Sequence, residues 1–213
     1  YLSIVKSFIC QEPLASQQQK LKEIYFMCKM VREFVISIYL FLFQWLFNVF
    51  KLFPQKKKTV CVASFGDNIF YTVRAIRERS NEEIIILKDR SCQYRFDESI
   101  SKILPFDLRH PMIYLQSIYH LAAASTILID NYFGFLAATN FRKSTHCIQL
   151  WHAVGAIKKF GLQNPANQFR AEKALKRFKK VYSRFHYIIV GSENMVNIFK
   201  DSFGIKESAI LRT

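Results

Sequence analysis

The stretch His146-Cys-Ile-Gln-Leu-Trp-His152-Ala-Val-Gly-Ala-Ile-Lys158-Lys159-Phe-Gly161 holds the residue types best suited to chemistry. It reads as a buried strand, Cys147–Trp151, that ends in a histidine, a small-residue loop and two lysines. In an open α/β sheet, ligands bind outside the carboxyl ends of strands. A neutral imidazole placed there can take a proton from a hydroxyl at physiological pH. Cations close behind it suit the charge of a phosphate, because phosphoryl transfer depends mainly on positioning and charge stabilisation. His152 is therefore the candidate base, and Lys158 and Lys159 are candidate phosphate contacts. A lone histidine is more often structural, and two adjacent lysines are more often a solvated pair. Position at the strand's end is what favours chemistry here. His146 begins the same strand and is poorly placed for that cleft. His110, His120 and His186 show no spacing that suggests metal or catalysis.

Two further loops share this architecture. Strand Thr59–Phe65 runs into Gly66-Asp67-Asn68 and a helix over Asn68–Arg79. Strand Thr126–Asp130 runs into Asn131-Tyr132 and another helical stretch. In a parallel sheet all three loops lie on one edge and can line one cleft. Asp67, Asn68 and Asn131 are thus candidate substrate-binding residues. The plainer role for these three and for Asp130 is helix N-capping, which favours the same residue types. Capping does not exclude a ligand, since helix N-termini attract anions.

Further strands are expected at Glu83–Lys88, Tyr187–Gly191 and Ala209–Leu211, with helices at Glu193–Phe203 and Asn167–Phe185. Alternating β and α elements with near-continuous apolar strands predict an α/β fold built on a parallel, doubly wound sheet. The longer helix has an apolar stripe of Ala171, Ala174, Leu175, Phe178, Val181, Tyr182 and Phe185, opposed by a basic face.

Of 213 residues, 51% are hydrophobic, which is ample for a core. The formal net charge is +15, and residues 141 to 185 carry eleven Lys or Arg against one acid, Glu172. That concentration predicts a basic face, suited to anionic lipid, nucleic acid or phosphorylated substrates. Upstream, Phe34–Phe50 is an uncharged apolar run with five Phe, Tyr39 and Trp45, followed by Lys51 and Lys56 to Lys58. Its length is at the lower limit for a span, its aromatic load suits a membrane interface, and the lysines suit anionic lipid. The alternative is a buried core helix. With that anchor upstream, lipid is favoured over nucleic acid as the basic face's partner. Residues 1–57 are read as a helical membrane-associating segment and 58–213 as the α/β domain, the chain being a piece of a longer protein.

The five cysteines are scattered, with no CxxC, which points away from a disulfide framework or a zinc site. No GxGxxG, Walker A loop or HExxH is present, so the usual dinucleotide, NTPase and zincin readings lose their support. The reading invokes no cofactor and no metal.

At Gln149-Leu-Trp-His152 followed by Gly155-Ala-Ile-Lys158-Lys159-Phe-Gly161, the chain resembles the CDP-glycerol glycerophosphotransferases of teichoic acid synthesis. The resemblance continues through Ile129-Asp-Asn-Tyr-Phe-Gly-Phe135, Val190-Gly-Ser-Glu-Asn-Met195 and Ser208-Ala-Ile-Leu-Arg-Thr213, and is nearest to the primase branch. It implies the Rossmann-like N-terminal half of a glycosyltransferase-B fold, carrying the acceptor side. It also implies His152 as base, and residence on the cytoplasmic face of the cell membrane. The implied partners are CDP-glycerol and an undecaprenyl-diphosphate-linked acceptor. Many members carry Gly where this chain has Ala153. Two other functions fit the residues: a sugar transferase acting on a lipid-linked acceptor, and a non-catalytic basic module anchored to a membrane.

Overall fold

The computed structural model describes residues 14–153 and 159–213; Lys158 lies outside them. Helix α1 (Leu14–Phe50) absorbs both the lead-in and the whole apolar run. Over Gln17–Phe50 it is long and apolar enough to cross a membrane. Leu21, Phe26, Met30, Phe34 and Phe41 along it are exposed. The chain divides into two compact units after Leu42.

In the second unit, seven parallel strands form one sheet in the order β3-β2-β1-β4-β5-β6-β7. They are β1 (Lys56–Ala63), β2 (Glu83–Asp89), β3 (Lys102–Phe106), β4 (Ala124–Ile129), β5 (His146–Gln149), β6 (Tyr187–Val190) and β7 (Ile210–Arg212). The order places the topological switch between β1 and β4, where the carboxyl-end loops diverge and a crevice opens. Helices α2 (Asp67–Arg79), α3 (Pro111–Ala123), α4 (Glu172–Tyr182) and α5 (Glu193–Phe203) cover the sheet. The core runs through Val60–Ala63, Ile84–Leu87 and Ile127–Ile129, all buried. Such continuous apolar strands are what a sheet covered on both faces requires.

β3 and α3 were not anticipated. Pro105 interrupts the strand signal, and β3 tolerates it as an edge strand. α3 buries seven of its thirteen residues and is apolar nearly all round, which erases the 3.6-residue contrast. The helix expected over Asn167–Phe185 begins only at Glu172. The Asn167 amide donates back to the Gly161 and Leu162 carbonyls, and Arg170 is extended, so Pro165–Phe169 stays a separate 3₁₀ turn. The stripe does face inward, with Ala174, Val181 and Tyr182 buried and Lys173, Lys176, Lys179 and Lys180 exposed.

The lysine cluster after the apolar run is only partly free for lipid. Lys58 lies inside β1 at 1% exposure, and its Nζ is 2.8 Å from His120 Nδ1. An ammonium can only donate, so Nδ1 accepts and the ring is held neutral. Burial and the nearby charges of Lys58, Lys102 and Lys56 push the His120 pKa down to about 4. The unfolded chain takes this proton near pH 6.5, the folded one only near 4. Stability supplied by His120 is therefore full above pH 6.5 and is lost as the pH falls towards 4. We expect a loss of about 2–3 kcal/mol over that window in chemical denaturation. His120→Gln, which can still accept from Lys58, should flatten that slope; an unchanged slope would remove His120 as its cause.

Candidate functional site

The site is organised by Asp130, which follows β4 and has no exposure. Its carboxylate crosses the switch point and accepts the backbone N–H of Ser64 at 2.9 Å, Phe65 at 2.9 Å and Gly66 at 2.8 Å. A loop of this shape commonly offers its amides to a phosphate; here the protein's own carboxylate takes them. Burial raises the Asp130 pKa, opposed by the three N–H donors and, to a smaller extent, by the nearby His152.

Asp130 also holds His152 through its main chain. His152 Nδ1 lies 2.9 Å from the Asp130 carbonyl oxygen. A carbonyl only accepts, so Nδ1 carries the proton. In the neutral ring that leaves the Nε2 lone pair for a substrate. The imidazole stacks on Phe65 at 3.9 Å with an interplanar angle of 7°, and on Trp151 at 4.3 Å. The turn that delivers it is unusual: Trp151 has φ 62°, a left-handed conformation costly for a bulky residue. It is held by Gln149, whose Oε1 accepts from Trp151 N at 3.0 Å and whose Nε2 donates to the Asn131 carbonyl at 3.1 Å. Trp151 further packs against Phe160, Phe199 and Phe203.

Asn68 and Asn131 join this assembly. Asn68 Nδ2 donates to the Trp151 carbonyl at 2.9 Å. Asn131 Nδ2 donates to Ser64 Oγ at 3.1 Å, and its Oδ1 accepts from Tyr132 N at 2.8 Å. Neither caps a helix. The N-cap of α2 is Gly66, and Asp67 is the first helical residue, exposed and without a capping hydrogen bond. Asp67 favours the helix dipole by position, and no hydrogen bond ties it to His152. Lys159 is exposed and makes no hydrogen bond or ion pair among the described residues. Hydrogen bonds thus tie Asn68 to the loop of His152 and Asn131 to Ser64 across the switch point, while Asp67 and Lys159 are exposed and make no hydrogen bond to them.

Phe65, Gln149 and Asp130's cross-strand role were not foreseen as parts of the site. Gln149 carried a usable signal: a fully buried amide in an otherwise apolar strand needs partners.

Gly66 has φ 104°, and a Cβ added there would overlap the Cβ and Cγ of Tyr94. Tyr94's near end cannot swing away. Gly66→Ala is expected to cost about 2–4 kcal/mol, strain and overlap combined, and to lower transfer by pulling the loop off Asp130. A denaturation midpoint within error of wild type would contradict this.

Comparison with known proteins supplies the family. The model of the CDP-glycerol:poly(glycerophosphate) glycerophosphotransferase family matches residues 46–213. A teichoic acid glycerol-phosphate primase of Bacillus subtilis (strain 168) is 46% identical over 104 residues, covering 49% of this chain and 27% of that protein. That of Staphylococcus aureus (strain NCTC 8325 / PS 47) is 28% identical over 157 residues, covering 74% of this chain and 42% of its own length. A teichoic acid ribitol-phosphate primase of Bacillus spizizenii (strain ATCC 23059 / NRRL B-14472 / W23) is 38% identical over 95 residues, 45% of this chain and 24% of its own. A solved structure of the wall teichoic acid polymerase TagF superposes with TM-score 0.60 at 13% identity, over 85% of this chain and 46% of that one. This last likeness is one of fold. The chain spans less than half the length of the relatives and structures it matches. On the match across residues 46–213, this chain belongs to the CDP-glycerol:poly(glycerophosphate) glycerophosphotransferase family.

Proposed function

We propose that this chain is the acceptor-side half of an enzyme that transfers glycerol phosphate from CDP-glycerol to a lipid-linked teichoic acid precursor. A hydroxyl of the acceptor attacks the phosphorus that bears the glycerol. The new P–O bond forms as the bond to CMP breaks, and CMP leaves with the bridging oxygen. His152 Nε2 takes the hydroxyl proton. The observation that carries this reading is the Nδ1–H of His152 held by the Asp130 carbonyl, which fixes the tautomer with Nε2 basic. Asn68 and Asn131 hold the loops around it, and Lys158 and Lys159 contact phosphate. A donor-binding domain beyond this chain completes a glycosyltransferase-B cleft. Helix α1 and the exposed lysines of α4 hold the enzyme to the cytoplasmic face of the membrane, where a lipid-linked acceptor resides. A basic amphipathic face and an apolar helix are each suited to anionic lipid.

CMP release by the full-length protein from CDP-glycerol, with and without a lipid-linked disaccharide acceptor, tests the reading. Acceptor-dependent release supports it. Release only with CDP-ribitol or a UDP-sugar as donor would move the protein to another transferase class.

A further inference from the structure

Three strands from His152, the carboxyl edge of the sheet carries a second charged feature. The ends of β2 and β3 border an open cavity of about 290 Å³ lined by Lys88, Asp89, Arg90, Asp107, Arg109 and His110, among others. The charges in it are not equivalent. Arg109 is engaged by Asp107, its Nε donating to Oδ2 at 2.7 Å. Asp89 is occupied in holding the turn, accepting from Ser91 N at 2.9 Å and from Ser91 Oγ at 2.6 Å. Lys88 and Arg90 make no hydrogen bond or ion pair among the described residues and remain as open cations. His110, the N-cap residue of α3, also lines it.

The cavity is also joined to the base. Ser91 Oγ is 3.1 Å from Ser64 Oγ, and Ser64 Oγ accepts from Asn131 Nδ2 at 3.1 Å. Gln149 then links the Asn131 carbonyl to Trp151 beside His152. A polar path therefore runs along the edge from β2 through β1 and β4 to β5. Three strand spacings make that path about 14 Å long.

We propose that this cavity binds the phosphate-bearing sugar of the acceptor while the acceptor's free hydroxyl lies at His152. Lys88 and Arg90 take the phosphate charge. The engaged carboxylates of Asp89 and Asp107 offer spare lone pairs to sugar hydroxyls. A mixed set of this kind fits a sugar phosphate better than a bare anion, which the two carboxylates would repel. The proposal rests on the acceptor-side reading given above and assigns that acceptor's anchoring end.

The test uses the full-length protein, a water-soluble short-chain diphospho-disaccharide acceptor, CDP-glycerol, and the variants Arg90→Ala and Lys88→Ala/Arg90→Ala. Loss of a charge-assisted contact should raise the acceptor KM about 10-fold in the single variant and further in the double one, with the CDP-glycerol KM unchanged. Calorimetric binding of the same acceptor, without donor, should weaken by a similar factor. An acceptor KM and affinity equal to wild type would overturn the subsite, as would a rise confined to the CDP-glycerol KM. Should wild type bind the acceptor yet release no CMP, the transferase reading fails and calorimetry alone still judges the cavity. If wild type does not bind the acceptor, both fall. Arg90 is exposed and Lys88 half-buried, and neither is in the core, so unchanged thermal unfolding is expected and separates lost binding from lost fold.

Discussion

His152→Ala in the full-length protein is expected to lower kcat by about 10²–10⁴-fold, the usual cost of losing a positioned base. The fold should survive, because the ring is only half-buried and sits on the surface edge of the sheet. The alanine variant removes at once the proposed base, the stacks on Phe65 and Trp151 and the hydrogen bond to the Asp130 carbonyl. His152→Asn separates them. Its amide can still donate to that carbonyl, yet it offers no basic nitrogen. If the base account holds, Asn is as poor as Ala. Near-normal turnover of the Asn variant would mean that His152 orients the loop and that the proton leaves by another route.

Asp130→Ala should do the most damage to stability, about 3–5 kcal/mol. It strands the Ser64, Phe65 and Gly66 amides in the switch-point crevice, and an unpaired buried donor typically costs about 1–3 kcal/mol. Asp130→Asn keeps one acceptor oxygen and should lose less, about 1–2 kcal/mol. Both should lower transfer, since the carbonyl that holds His152 moves with the same residue. The pH dependence gives a separate sign to check. Burial raises the Asp130 pKa above its ordinary 3.8, so the folded state binds this proton more readily than the unfolded one. Its contribution is full below pH 3.8 and is lost as pH rises through the raised value, opposite in sense to that of His120. Asp130→Asn should therefore make the loss of stability on acidification steeper. Denaturant midpoints measured across pH 4–7 for wild type and both variants decide these points; an alanine variant as stable as wild type would contradict the hydrogen-bond account.

Much of this was legible in the residues, and the exceptions have physical causes. Val60–Ala63, Ile127–Ile129 and Tyr187–Val190 announce buried parallel strands because nothing polar interrupts them. His152 announces itself because it follows such a strand. What one-dimensional pattern cannot give is pairing. Asp130 and Asn68 have the residue types of helix caps, but the Asp130 side chain reaches the loop after the neighbouring β1 and that of Asn68 the loop after β5, two strands away. That choice depends on β1 lying between β2 and β4. The apolar pattern carries Trp151 into a regular strand, and its left-handed φ follows from Gln149 capturing its N–H. Lys58 reads in sequence like its solvated neighbours Lys56 and Lys57, although β1 carries it into the core beside His120.

The most direct test of the central claim is acceptor-dependent CMP release from CDP-glycerol by the full-length protein, wild type beside His152→Asn. The account predicts release with the lipid-linked disaccharide acceptor in wild type and a loss of about 10²-fold or more in the variant. Release of equal rate from both proteins, or none from wild type with any teichoic acid precursor, would contradict it.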